Sequence, residues 1–138
     1  DRYRDEFLEL MRKGTVDLVF ANESELHALY QTSDFDTALK QLRADTKLGV
    51  VTRSEKGCVV ASQEGVVAVH AFPIKEMVDT TGAGDLFAAG FLFGLVRNAG
   101  HHKAGRLGGL AAAEVIQHIG ARPLISLKDL AQQHGLPV

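Results

Sequence analysis

The chain has 138 residues, 46% hydrophobic and 23% charged, enough to bury the core of one domain and unlike a disordered or fibrous polymer. With 15 basic against 17 acidic residues the net charge is −2, so no basic field attracts nucleic acid or an anionic membrane surface. Any anionic ligand must be held by local geometry. The most apolar stretch, Leu86 to Val96, is far shorter than the ~20 residues that span a bilayer. One cysteine, Cys58, cannot form an internal disulfide, and Asp1-Arg2-Tyr3-Arg4 shows no basic-then-apolar leader. A reducing, cytoplasmic setting is therefore expected.

Tyr3, Phe7, Leu8, Leu10 and Met11 recur at helical spacing, which predicts an amphipathic helix over 2–13, stopped by Gly14. Val16 to Phe20 reads as a buried strand, ended by Ala21 and Asn22, with a short helix opening at Ser24-Glu25-Leu26. Ser33 or Asp34 caps a helix through Ala38, Leu39 and Leu42, and Leu48 to Thr52 is a second buried strand. Lys56-Gly57 predicts a turn, and Cys58–Ser62 with Val66–His70 a hairpin around Gln63-Glu64-Gly65. Cys58, in an apolar run, is expected to be a small core residue. Val78 to Gly84 reads as a loop. Leu86 to Val96 is apolar on every side, so a helix there should be buried. Asn98 to His102 is a break. An alanine-rich helix is expected over 104–118, and Ser126 to Asp129 has capping-box spacing for a last helix. Alternating strands and helices argue for an α/β fold with a largely parallel sheet. The sequence opens in a helix with no preceding strand, which suggests that upstream sequence belongs with it.

The stretch that carries chemistry is Asp79-Thr80-Thr81-Gly82-Ala83-Gly84-Asp85, directly before an apolar helix. The glycines let the backbone turn tightly and a ligand approach closely. The N–H groups of Gly82, Ala83 and Gly84 would converge at a helix N-terminus, where partial positive charge favours an anion. Such a hole suits the charge developing on a transferring phosphoryl group, with Asp85 beside it as a base. The bland reading is a glycine-rich loop whose aspartate favours the helix dipole. The stretch lacks the Gly-Lys-Ser/Thr ending of a Walker A loop and the third glycine of a dinucleotide fingerprint.

Asp79 to Asp85 resembles the C-terminal signature of the ribokinase-like, or PfkB, carbohydrate kinase family. Asn22-Glu23-Ser24-Glu25 resembles the family's Asn-x-x-Glu motif, which follows a buried strand and organises Mg²⁺, mostly through water. Read alone, Asn22 and Glu25 are a helix start. Thr52-Arg53-Ser54-Glu55-Lys56-Gly57 resembles the Thr-x-Gly-x-x-Gly element that contacts ATP phosphates, with Ser54 in place of the first glycine. The resemblance implies an adenine pocket near Ala112, Ala113 and Gln117, where alanine is equally good helix packing. It also leaves room for a K⁺ site at Asp79 and Thr81.

The resemblance implies a three-layer ribokinase-like (Rossmann-like) α/β sheet flanked by helices. Residues 1–138 would be its C-terminal nucleotide-binding and catalytic part, without the N-terminal substrate and lid part. The implied activity is ATP- and Mg²⁺-dependent phosphoryl transfer to a hydroxyl of a small sugar or nucleoside. Arg2-Tyr3-Arg4-Asp5-Glu6-Phe7-Leu8 and Phe20 to Glu25 lean toward bacterial adenosine-kinase-like members. The alternative is a truncated nucleotide-binding module, not catalytic without its missing half. Self-association, or association with that half, is expected of a cut sheet with an open edge.

Overall fold

A computed structural model of the chain describes residues 2–74, 82–115, 117 and 126–136. The chain divides into two compact units, one of Asp1–Ser54 with Val59–Ala68 and one of Glu55–Cys58 with Val69–Val138.

The first unit opens with α1 (Arg2–Arg12), whose Leu8 and Met11 are buried while Tyr3 and Leu10 face solvent. Gly14, at φ +76, follows it. Then come β1 (Leu18–Asn22), α2 (Glu23–Tyr30), α3 (Phe35–Asp45) and β2 (Leu48–Thr52). A 3₁₀ turn, Ser54–Lys56, leads to β3 (Cys58–Ser62) and β4 (Gly65–Val69). The sheet order is β1-β2-β3-β4, and β1 pairs with β2 in parallel, Leu18 opposite Leu48 through Asn22 opposite Thr52. The five residues between β2 and β3, and the two between β3 and β4, are too few for a parallel crossover. These pairs are therefore antiparallel, and the sheet is mixed where alternation of elements suggested a largely parallel one. Strand β1 also sits two residues later than its apolar run predicts. Its ends are set by pairing with β2, which hydropathy does not report.

The core of this unit joins Leu26 of α2, Leu42 of α3 and Val51 of β2, all fully buried. Burying three such side chains contributes on the order of 5 kcal/mol or more. Gly49 faces α3, where a Cβ would come 2.5 Å from Leu42.

In the second unit, α4 (Ala83–Val96) and α5 (His101–Val115) pack as an antiparallel pair, and α6 (Leu127–Gln133) follows. Phe87, Gly90, Phe91 and Gly94 of α4, one stripe at helical spacing, are buried. Gly90 and Gly94 form the notch. A Cβ on Gly90 would stand 2.6 Å from the Leu107 carbonyl oxygen, and one on Gly94 2.9 Å from Ala104 Cα. Gly108 of α5 answers them, 2.8 Å from the Phe87 carbonyl oxygen by the same measure. The expectation of burial on every side fails for Leu92 and Val96, which are 39% and 75% exposed. Among the described residues α5 covers one face of α4 and leaves the other open. Asn98 at φ 55 and Gly100 at φ +90 make the break before α5. Ser126 caps α6, its hydroxyl accepting from Asp129 N at 3.1 Å.

Cys58 is buried, and burial pushes its thiol up to about 11, so it is protonated and inert at neutral pH. No helix among the described residues is long and apolar enough to cross a membrane.

Candidate functional site

The carboxyl ends of β1 and β2 lie side by side, because Asn22 and Thr52 are the last partners in their register. In open α/β sheets this is the end where ligands bind. Asn22 is the N-cap of α2, with extended backbone at φ −87. Its Oδ1 accepts from Glu25 N at 2.8 Å, and Glu25 Oε1 accepts from Asn22 N at 2.8 Å. The helix-start reading of this pair is thus realised as a complete capping box. Both side chains are exposed, and the second carboxylate oxygen of Glu25 has no hydrogen bond among the described residues. No group of three or more His, Cys, Asp or Glu side chains gathers for a metal among the described residues. This donor set suits a hydrated Mg²⁺ contacted through its waters, and not direct chelation.

Beyond Thr52 the chain turns sharply. Ser54 adopts φ 57, the left-handed conformation that the glycine of the resembling motif would take without strain. The side chain carries the cost of that conformation, roughly 1–2 kcal/mol for a non-glycine residue. Ser54→Gly should therefore raise stability by about 0.5–1 kcal/mol, after discounting the extra freedom glycine gives the unfolded chain. A thermal melt with an unchanged or lower midpoint would refute the strain.

Gly57 has its own reason to be glycine. It sits at φ +94, and a Cβ there would be 1.9 Å from the Val69 carbonyl oxygen. Packing alone dictates that residue. Gly84 is the reverse case. It is exposed, and a Cβ would meet nothing within 4 Å.

The first turn of α4 is built by Gly82, at φ 78, ψ 2, with no side chain capping the helix. The first helical hydrogen bond there runs from Leu86 N to Gly82 O at 2.9 Å. The N–H groups of Gly82, Ala83, Gly84 and Asp85 consequently have no helical acceptor. Asp85 is exposed in the same turn and makes no hydrogen bond or ion pair among the described residues. On α5, Ala113 is buried and its carbonyl accepts from Gln117 Nε2 at 2.8 Å, while Ala112 is half-buried. Asn22, Glu25, Thr52 and Ser54 belong to the first unit; Gly57, Gly82 to Asp85, Ala112 and Ala113 belong to the second. Asp79 and Thr81 lie outside the described residues.

The sequence alone pairs Arg53 with no protein group and reads it as a turn charge near the phosphate loop. Its Nε donates to Glu23 Oε1 at 2.7 Å, and its guanidinium lies 3.8 Å over the Phe35 ring. The partners are thirty and eighteen residues away, and no local pattern announces them.

Comparison with known proteins sets these features in a family. The pfkB family carbohydrate kinase pattern matches residues 1–127. The crystal structure of adenosine kinase from Sinorhizobium meliloti is 56% identical, with a TM-score of 0.93 over 96% of this chain and 41% of that one. A probable sugar kinase from Rhizobium etli CFN 42 is 54% identical, with a TM-score of 0.96 over 99% of this chain and 41% of the other. Arabidopsis thaliana ribokinase, solved with ribose and ATP, is 27% identical, with a TM-score of 0.79 over 91% of this chain and 42% of its own. The chain thus spans less than half the length of each of these proteins, and the fold it shares with them is ribokinase-like. It belongs to the pfkB family of carbohydrate kinases.

Proposed function

We propose that residues 1–138 form the C-terminal nucleotide-binding and catalytic part of a ribokinase-like kinase domain. The reaction is transfer of the γ-phosphoryl group of ATP to a hydroxyl of a small sugar or nucleoside. Adenosine is the leading acceptor, supported by the 56% identity to the Sinorhizobium meliloti enzyme. The observation that carries the reading is the open first turn of α4. An uncommitted, exposed Asp85 stands beside N–H groups that have no helical acceptor.

When bound, Mg·ATP supplies the phosphoryl group and part of the charge neutralisation. The chain's own residues do the rest. The N–H groups of Gly82, Ala83 and Gly84 hold negative charge by aligned dipoles. Asp85 orients the acceptor hydroxyl and takes its proton on the carboxylate. A weak base suffices where the transition state is loose and the proton leaves late. Thr52, Ser54 and Gly57 are assigned to the phosphate loop, Ala112 and Ala113 to the adenine side. Asn22 and Glu25 act on Mg²⁺ through water, and Asp79 and Thr81 on an optional K⁺. The buried lone thiol suits a cytoplasmic protein.

Because the chain matches less than half of each relative's length, acceptor contacts are expected from outside these residues. The same fact favours a second reading for the chain by itself: a nucleotide-binding module that turns over only with, or by association with, its other half. Phosphoryl transfer by the full-length protein separates the two.

Gly84→Ala tests the anion hole. The position has open space and ordinary backbone, so the variant should fold as before. A methyl group there would hold a ligand off the N–H groups. Binding of a non-hydrolysable ATP analogue with Mg²⁺ should weaken about tenfold, the worth of one hydrogen bond to a charged group. Unchanged calorimetric affinity would remove this turn from the nucleotide site.

A further inference from the structure

We propose that Arg53 is a positioning residue that ties the start of α2 to the end of β2 and so holds the Asn22–Glu25 capping box in place. The two backbones run paired as far as Asn22 and Thr52. There they part, one entering α2 and the other the Ser54 turn. The ladder can no longer register them. Arg53, next after Thr52, takes over with its side chain. Its Nε donates at 2.7 Å to Oε1 of Glu23, the first residue of α2, directly after Asn22. Its flat face stacks at 3.8 Å on Phe35, the first residue of α3.

One guanidinium therefore joins its own segment to two others of the first unit, α2 and α3. An exposed ion pair of this kind would count for little. This one is different in two respects. The side chains are only 25% and 33% exposed, so solvent screens them incompletely. The ring contact also fixes the plane of the guanidinium, which lowers the cost of directing Nε at Glu23. Lysine has the charge but neither the planar face nor the directed Nε, so it cannot reproduce both contacts. Arg53 also balances the charge of Glu23, while Glu25, exposed, keeps one carboxylate oxygen in the capping box.

The functional half of this inference rests on the proposed role of Asn22 and Glu25 toward Mg²⁺; the structural half does not. The test uses full-length protein with Arg53→Ala, Arg53→Lys and Glu23→Gln. The first readout is amide hydrogen exchange at Glu25, whose N–H is bonded to Asn22 Oδ1. Exchange there should rise about tenfold in Arg53→Ala and Glu23→Gln, with α4 and α5 amides unchanged. The second is a calorimetric Mg²⁺ titration at a fixed concentration of non-hydrolysable ATP analogue. Its midpoint should rise about tenfold, with Arg53→Lys between the extremes. Wild-type exchange at Glu25 in the folded variants overturns the tether. Raised exchange with an unmoved Mg²⁺ midpoint overturns its functional half. Absence of Mg²⁺-dependent binding in the wild type would defeat the kinase reading, and the exchange data would then decide the tether alone.

Discussion

An Asp85→Asn variant of the full-length protein should lose between about 10²- and 10⁴-fold in kcat, the range for removing a positioned general base. Its fold should survive. Asp85 is exposed and holds no hydrogen bond or ion pair among the described residues. Loss of a carboxylate from the first turn of α4 costs at most ~1 kcal/mol of helix-dipole stabilisation. Asparagine keeps the shape and can still accept a hydrogen bond from the acceptor hydroxyl, but it cannot take the proton. Affinity for the ATP analogue should therefore stay within about twofold, or improve as a negative charge leaves the phosphate site. The measurement is ADP release with adenosine and a panel of sugars, beside calorimetric binding. Turnover near the wild-type rate would exclude Asp85 as the base.

Gly57→Ala should be the most destabilising single methyl among the described glycines, at about 4 kcal/mol. Two effects add. The left-handed conformation at φ +94 strains any residue with a Cβ, by roughly 1–3 kcal/mol. The new Cβ would also overlap the Val69 carbonyl oxygen at 1.9 Å, with the Ala71 nitrogen at 2.8 Å behind it. Those are backbone atoms, which cannot swing aside as a side chain can, and overpacking costs a further ~1–3 kcal/mol. Set against a total stability of about 5–15 kcal/mol, that is a large fraction. Urea unfolding would show it as a lowered midpoint at unchanged slope. A wild-type midpoint would mean that the turn relaxes freely. Gly84→Ala serves as the control, expected to be neutral for stability.

These two glycines look alike in the sequence and differ in kind. Gly57 is dictated by its own surroundings, whereas nothing among the described residues dictates Gly84. No local pattern separates them, because the difference lies in whether another backbone passes close by. Strand β2 was legible to the residue, since Leu48–Thr52 is a continuous apolar run with clear ends. Strand β1 was displaced by two residues, because its limits come from register with β2. Helix α4 begins at Ala83, three residues before its apolar run, since Gly82 and Gly84 read as loop when one of them is a cap. The left-handed Ser54 was hidden by its identity, since serine seldom takes that conformation. The pairing of Asn22 with Glu25 was visible because it spans one helical turn. The Arg53–Glu23 pair was not, because only the fold brings those residues together.

The seam of α4 and α5 has one more consequence. Where Gly90, Gly94 and Gly108 meet the facing helix, backbone lies against backbone. The glycines themselves have no rotamers to freeze on assembly, and the close backbones leave the helices little room to slide. The turn that carries Asp85 begins four residues above the first of these contacts, counting from Ala83 to Phe87, whose carbonyl faces Gly108. It therefore stands like a short cantilever on a stiff mount. Small displacements of Asp85 must come from bending α4 above Phe87, and larger ones must carry α5 along.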